Sequence, residues 1–158
     1  MEGNGTGDRA SLVLVGAGHE AHAQDGVGVV GPRPPEEVRN FYAAASVAVM
    51  ASVPSRTFRE PWGLVANEAM NQHVPVIATD ATGAAAGGLV RHERNGLIVP
   101  AGDARALSSA LRRLHDDETL RRQLGDNAAR DVAAYTFDAW AAGFTSALAS
   151  VKTSKADC

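Results

Sequence analysis

Two glutamates, Glu60 and Glu68, stand eight positions apart in the segment E-P-W-G-L-V-A-N-E-A-M-N-Q. A carboxylate accepts hydrogen bonds from the vicinal hydroxyls of a sugar or a ribose. Between them, Pro61 predicts the start of a helix, whose free N–H groups and dipole favour an anion, and Gly63 lets that anion approach the backbone closely. At about 1.5 Å of helical rise per residue, the carboxylates would lie roughly 12 Å apart. A sugar–diphosphate–ribose ligand would suit this arrangement, although the spacing of two glutamates alone is easily a coincidence.

The apolar runs around this segment predict the elements that position it. Strands are predicted at residues 11–15, 27–31, 46–50, 74–79 and 97–99. One helix is predicted to open at Pro34 and Pro35, and three more follow the predicted N-cap Asp103, whereas the small residues of 80–88 predict a flexible stretch. Strands that alternate with helices are typical of an α/β fold, here a Rossmann-like parallel sheet flanked by helices. Ligands of such folds bind at the carboxyl ends of the strands.

Composition narrows the class of protein. The 158 residues are 45% hydrophobic and 21% charged with a net charge of −3, so one ordinary domain is expected and no nucleic-acid partner is indicated. No apolar run approaches the roughly 20 residues of a membrane helix, so no integral membrane segment is predicted. The single cysteine, Cys158, makes a cytoplasmic location the default, and a peripheral contact with the inner face of the membrane stays open. The predicted organisation is a flexible segment at 1–10, one lobe at 11–152 and a flexible tail at 153–158.

The segment 60–80 resembles the donor-binding signature of the family-four retaining glycosyltransferases, which have the two-lobed GT-B fold. That signature is a Glu, seven residues, a second Glu, then Ala-Met, a turn of small residues and Pro-Val-Ile. The resemblance continues through R-H-E-R-N-G-L-I-V-P-A-G-D at 91–103 and covers about residues 11–150. It implies that the chain is the C-terminal, nucleotide-sugar-binding half of a GT-B glycosyltransferase.

The resemblance also implies a role for the matching residues. Glu60 would contact hydroxyls of the donor sugar and is the candidate catalytic residue. Gly63 and Leu64 would offer backbone N–H groups to the diphosphate, Glu68 would bind the ribose, and the stretch 30–32 would lie near the nucleobase. The candidate donor-binding residues are Glu60, Pro61, Trp62, Gly63, Leu64, Glu68, Gly16, Gly18 and Gly31.

The implied reaction is transfer of a hexosyl unit from a UDP- or GDP-sugar to an unknown acceptor, with retention of configuration. No protein nucleophile is implied, and catalysis would rest on electrostatic stabilisation of the leaving diphosphate. The nucleotide-sugar is a substrate, and no cofactor is expected. No Asp-x-Asp motif is present, so no metal is implied.

Part of the family pattern has no counterpart in these residues. The N-terminal lobe is not found, nor is the first strand of the C-terminal lobe with its Arg and Lys clamp on the diphosphate. Arg56 and Arg59 are the cations nearest to the motif, and nothing assigns them to that clamp. The chain is expected to act with an N-terminal lobe, in a longer chain or on a partner. The alternative is a catalytically incomplete binding or interaction module from a truncated glycosyltransferase.

The last predicted helix carries an apolar stripe: Phe137, Trp140, Phe144, Leu148 and Val151. In the family this helix crosses back toward the N-terminal lobe. Without that lobe the stripe would be exposed and would favour self-association. A helix packed wholly on its own domain is an equal alternative.

Other motifs in the sequence are weaker. V-L-V-G-A-G-H-E-A at 13–21 matches the dinucleotide fingerprint, but the following strand ends in Gly31 rather than an acid. We therefore interpret Gly16 and Gly18 as a turn that faces the nucleotide cleft. His19 and His22 lack a third metal ligand. Asp80 either replaces an acidic residue that many relatives carry or is a plain turn residue, and the turn is favoured.

Overall fold

The computed structural model of the chain describes residues 10–18, 20–56 and 60–154. Its strands are β1 (Leu12–Val15), β2 (Val27–Val30), β3 (Ala48–Met50), β4 (Val76–Thr79) and β5 (Gly96–Val99). Its α-helices are α1 (Pro35–Ala44), α2 (Leu64–Met70), α3 (Gly83–Ala86), α4 (Ala104–Asp116), α5 (Glu118–Val132) and α6 (Phe137–Ser154), and a 3₁₀ turn spans Glu20–His22. Most of the two predicted flexible ends, together with His19 and Arg59, lies outside the described residues.

All strand pairs of these two sheets are parallel, as the alternation of strands and helices predicts. β1 pairs with β2 from Leu12 opposite Val27 to Val15 opposite Val30. The other sheet has the order β3-β4-β5, with Ile77 opposite Val49 on one side and Leu97 on the other. The predicted parallel α/β fold is confirmed, with its strands hydrogen-bonded as two sheets rather than one.

The core lies on the two faces of β4, whose four residues are all buried. Because side chains alternate along a strand, Val76 and Ala78 point to one face and Ile77 to the other. The first face packs in a cluster with residues of α2 and α5, including Met70 and Val132. The second face packs with residues of β5, α4 and α5, including Leu114 and Leu124. Helices therefore cover both faces of this sheet, which holds the β3–β5 strand ends in place.

Acidic caps set the starts of the two helices that follow β5. Asp103 accepts hydrogen bonds from the backbone N–H groups of Arg105 and Ala106 at 3.0 and 2.9 Å, so the predicted N-cap is confirmed. Asp117 accepts from the Leu120 N–H at 2.8 Å and caps α5 in the same way.

Two local predictions between β3 and β5 are wrong. The helix predicted from Pro61 begins only at Leu64, because Gly63 takes the left-handed conformation (φ 81°, ψ 74°) as its N-cap and keeps residues 60–62 outside the helix. The estimate of 12 Å between Glu60 and Glu68 therefore loses its basis. The stretch 80–88, predicted to be flexible, contains α3, whose N-cap Thr82 accepts from the Ala85 N–H at 3.3 Å.

The last helix, α6, has an uncovered apolar stripe. Every residue from Phe137 to Val151 is exposed, and Phe137 reaches 94%. The alternative of a helix packed wholly on its own domain is wrong, while self-association stays a prediction. Neither α6 nor any other helix in the described part of the chain is long and apolar enough to cross a membrane.

Candidate functional site

The carboxyl ends of β3, β4 and β5 meet at one edge of their parallel sheet, and hydrogen bonds tie the three together. The Thr79 hydroxyl at the end of β4 donates to the carbonyl of Ser52, just after β3, at 2.6 Å. Asp80 accepts from the N–H of Ala101, just after β5, at 2.9 Å. These contacts fix the edge at which ligands of open α/β sheets bind.

A cleft of about 390 Å³ opens at this edge. It is lined by Pro54, Glu60, Asp80, Ala81, Thr82, Gly83, Ala86 and Ala101. Two acidic residues, Glu60 and Asp80, are among the lining residues, and most of the others are small. The volume lies within the range of small-molecule sites, and the carboxylates are suited to accept hydrogen bonds from ligand hydroxyls. Asp80 also holds the turn after β4, as its interpretation as a turn residue predicts.

The loop that carries Glu60 is fixed by the start of α3. The Gly83 N–H donates to the Glu60 carbonyl at 2.9 Å. A Cβ at Gly83 would lie 1.9 Å from the Pro61 carbonyl oxygen, so a side chain there requires the backbone to move. This role could not be predicted from the sequence, because Gly83 lies in a run of small residues that resembles a flexible loop. Gly83 is thus a site residue that sequence reasoning missed.

Trp62 anchors the other end of the same loop. Its indole N–H donates to the Asn67 side chain on α2 at 2.9 Å. Its ring lies over Gly87, where a Cβ would come within 3.2 Å, and 5.9 Å from the ring of Tyr135. The Trp62 side chain is therefore used for packing within the chain, and the backbone beside it is held at both ends.

Gly63 and Leu64 lie at the start of α2. Gly63 is buried with a positive φ of 81°, a conformation that other residues adopt only with strain. Leu64 is exposed, so the first residue of the helix is accessible from solvent. The structure thus brings five of the predicted residues, 60–64, together on one loop and helix start.

Glu68 lies four residues further along α2 and is exposed. Its neighbour across the helix pair is Tyr42 on α1, whose ring packs against the buried cluster that includes Met70 and Val132. Burial, followed by the neighbouring charge of Glu68, raises the pKa of Tyr42 to about 12. This neighbour of Glu68 lies on a different helix and was not predicted from the sequence.

The remaining candidates are Gly16, Gly18 and Gly31. They lie at the ends of β1 and β2, which form a different sheet from β3–β5, and they are distant from Glu60 in sequence. Gly16 (φ 134°) and Gly18 (φ 82°) form the predicted turn, and the Gly16 N–H donates to the Val30 carbonyl at 2.9 Å. Their place at a nucleotide cleft stays a prediction. Across the described ranges, no group of three His, Cys, Asp or Glu side chains could hold a metal ion.

Comparisons with known proteins bear on what this edge of the sheet does. Residues 4–117 match the family described as glycosyl transferases group 1. D-inositol 3-phosphate glycosyltransferase from Corynebacterium urealyticum is 36% identical over 107 residues, which are 68% of this chain and 24% of that protein. Its counterpart from Corynebacterium diphtheriae is 40% identical over 114 residues, which are 70% and 24%. The chain therefore spans about a quarter of the length of these curated relatives.

Solved structures show the same fold. Sucrose-phosphate synthase from Thermosynechococcus elongatus is 31% identical with a TM-score of 0.74, over 91% of this chain and 39% of that one. Anabaena Alr3699/HepE in complex with UDP-glucose is 25% identical with a TM-score of 0.70, over 89% and 41%. The chain corresponds to part of the GT-B fold and belongs to the glycosyl transferases group 1 family.

Proposed function

We propose that this chain binds a UDP-sugar as the C-terminal lobe of a retaining glycosyltransferase that transfers a hexosyl unit. The observation that carries the proposal is that Glu60 lines a cleft at the carboxyl ends of β3–β5, on a loop held by α3. The similar Anabaena protein was solved with UDP and with UDP-glucose, which favours uridine over guanosine. The acceptor side would come from a second lobe, in a longer chain or on a partner.

Each part of the donor has a proposed place. The sugar occupies the cleft, where Glu60 accepts hydrogen bonds from its hydroxyls. The diphosphate lies against the backbone of Gly63 and Leu64, and the ribose diol binds Glu68. The stretch 30–32, which includes Gly31, lies near the base, and Gly16 and Gly18 form the turn facing it. The assignment is supported by the family signature and by the fixed loop geometry.

The mechanism follows from this placement. Departure of UDP leaves positive charge on the sugar ring and negative charge on the diphosphate. Backbone N–H groups at residues 63 and 64 stabilise the negative charge, and because the loop is already held by Gly83 and Asn67, little reorganisation is needed. Glu60 orients the sugar through its hydroxyls.

Calorimetric titration of the 158-residue chain with UDP and UDP-glucose, and with GDP for comparison, tests the proposal. Glu68→Ala is expected to raise the Kd of UDP roughly 10- to 100-fold, as for a lost hydrogen bond to a charged group. Glu60→Gln is expected to weaken UDP-glucose but leave UDP unchanged, because Glu60 touches only the sugar.

Glu118→Gln is the matched control, since it removes the same charge at an exposed ion pair with Arg122 at the start of α5. It is expected to leave both affinities unchanged. A folded chain that binds no uridine nucleotide, or that loses equal affinity in the control, would contradict the proposal. Binding without release of UDP from UDP-glucose would favour a module that does not catalyse transfer by itself.

A further inference from the structure

Asp80 directly follows β4 and is fixed to the end of β5 by two hydrogen bonds. Its backbone N–H donates to the Val99 carbonyl at 3.0 Å, and its Oδ1 accepts from the Ala101 N–H at 2.9 Å. Asp80 is nevertheless exposed, and it lines the cleft that Glu60 also lines. The backbone and one carboxylate oxygen of Asp80 are therefore held in place at the wall of the cleft.

The hydrogen bond with Ala101 uses only part of the Asp80 carboxylate. An ionised carboxylate has about four acceptor sites, and the Ala101 N–H occupies one of them. Within residues 10–18, 20–56 and 60–154, no second donor forms a hydrogen bond with this side chain. The turn after β4 thus leaves the other oxygen, Oδ2, available to accept hydrogen bonds from a ligand.

The charge of the cleft favours a neutral ligand group. Among the described residues that line it, two are acidic and none is Lys, Arg or His. Sugar hydroxyls can donate to a carboxylate in such a cleft. An anionic group would instead meet like-charge repulsion, which is stronger in a partly enclosed cleft than in bulk water.

We propose that Asp80 is a specificity-determining residue that accepts a hydrogen bond from a hydroxyl of the donor sugar and excludes a sugar that carries a carboxylate. The inference rests on the proposed function, because it concerns the sugar end of the same donor. It narrows the donor to a UDP-sugar whose sugar is neutral, such as a hexose, and rejects a UDP-uronate. Because Val99 and Ala101 already hold Asp80, little ordering of this residue is needed when the sugar binds.

Calorimetric titration of Asp80→Asn with UDP, UDP-glucose and UDP-glucuronate tests the inference. Asparagine keeps an oxygen that can accept from the Ala101 N–H, but it removes the charge. UDP-glucose is expected to bind about fivefold more weakly, the difference between a hydrogen bond to a charged acceptor and one to a neutral group. UDP-glucuronate is expected to bind about tenfold more tightly, because one like charge is gone, and the affinity for UDP should stay unchanged.

Asp126→Asn is the matched control. It removes the same charge from an exposed residue of α5, where Asp126 pairs with His73 outside the cleft, so all three affinities should stay unchanged. Asp80→Ala separates the two roles of the Asp80 side chain, because it also removes the acceptor of the Ala101 N–H. It should lower the urea midpoint of unfolding, whereas Asp80→Asn should leave that midpoint near the native value.

Two results would show that Asp80 only holds the turn, and the proposed function would then stand. One is a folded Asp80→Asn chain that keeps the native ratio of affinities for UDP-glucose and UDP-glucuronate. The other is an equal loss of affinity for UDP and UDP-glucose in that variant. A folded native chain that binds neither UDP nor UDP-glucose would overturn both the inference and the proposed function.

Discussion

Helices α5 and α6 follow one another in the chain, and the more apolar of the two is the one without cover. α5 carries six charged residues among fifteen, yet it buries Leu124, Gly125, Ala128 and Val132. α6 carries three aromatic residues, of which Trp140 and Phe144 stack with their ring centroids 5.5 Å apart, and the described side chains of this helix are all exposed. Burial in this chain is therefore decided by the available partner rather than by the apolar content of a helix.

The difference lies in what each helix contacts. Gly125 of α5 approaches the His73 carbonyl so closely that a Cβ would lie 2.1 Å from it. At the other end of α5, Asp131 pairs with Arg94 at 2.8 Å and accepts from the buried side chain of Asn95 at 2.8 Å. A close backbone approach and a polar cluster thus hold α5 to the loops before β4 and β5.

The largest difference between the helices is expected for one substitution made in each. Leu124→Ala in α5 removes a side chain that is 1% exposed, so it should lower the free energy of unfolding by about 3 kcal/mol. Leu148→Ala in α6, where the leucine is 51% exposed, should change it by less than about 0.5 kcal/mol. Urea unfolding of both variants measures the contrast, and equal effects would show that α6 is packed in solution.

A smaller effect is expected at the polar cluster. Asp131→Asn keeps the shape but loses the charge that Arg94 binds through two hydrogen bonds, so stability at neutral pH should fall by about 1–2 kcal/mol. The hydrogen bond from Arg94 holds the pKa of Asp131 at about 2, below its ordinary 3.8. This contribution is therefore complete above about pH 4 and is lost as the pH falls toward 2.

Unfolding at several pH values between 7 and 2 checks the sign. The gap between the native chain and Asp131→Asn should close as the pH falls, and a constant gap would contradict the assignment. Glu93→Gln is the control, because Glu93 pairs with Arg113 at an exposed position where an ion pair contributes less.

The smallest effect on stability is expected for Trp140→Ser in α6. Trp140 is 69% exposed, so its loss should change the free energy of unfolding by less than about 0.5 kcal/mol. Acrylamide should quench the fluorescence of the native chain more strongly than that of the variant, whose remaining tryptophan is the partly buried Trp62. Sedimentation velocity of the same pair tests the predicted self-association, which should weaken in the variant.

Strands and helix caps could be predicted from local sequence. The five apolar runs gave the five strands because β-branched residues there are bounded by turns, and Asp103 has the side chain that an N-cap needs. The exposed stripe of α6 could be predicted only through the family resemblance. Periodicity alone left two alternatives for it.

The local structure of the candidate site could be predicted less well from the sequence than the strands and the helix caps. Pro61 favours a helix start, but the positive φ of Gly63 places the start three residues later. The hydrogen bond between the start of α3 and the Glu60 carbonyl joins segments that are distant in sequence, and no local sequence pattern predicts such a contact. The site residues 60–64 were predicted, whereas the contacts from Gly83 and Asn67 that hold their loop were not.

The position of Gly83 limits which substitutions this sequence can accept. It has no positive φ, so its backbone conformation would tolerate alanine, and the obstacle to a side chain is the backbone of Pro61 and Trp62, which a Cβ would approach to 1.9 and 2.7 Å. Substitutions at position 83 are therefore tolerated only when the loop around Pro61 shifts as well. Positions 61 and 83, which are 22 residues apart in the chain, are therefore expected to change together. A random library should recover variants at Gly83 only in combination with changes in the loop around Pro61.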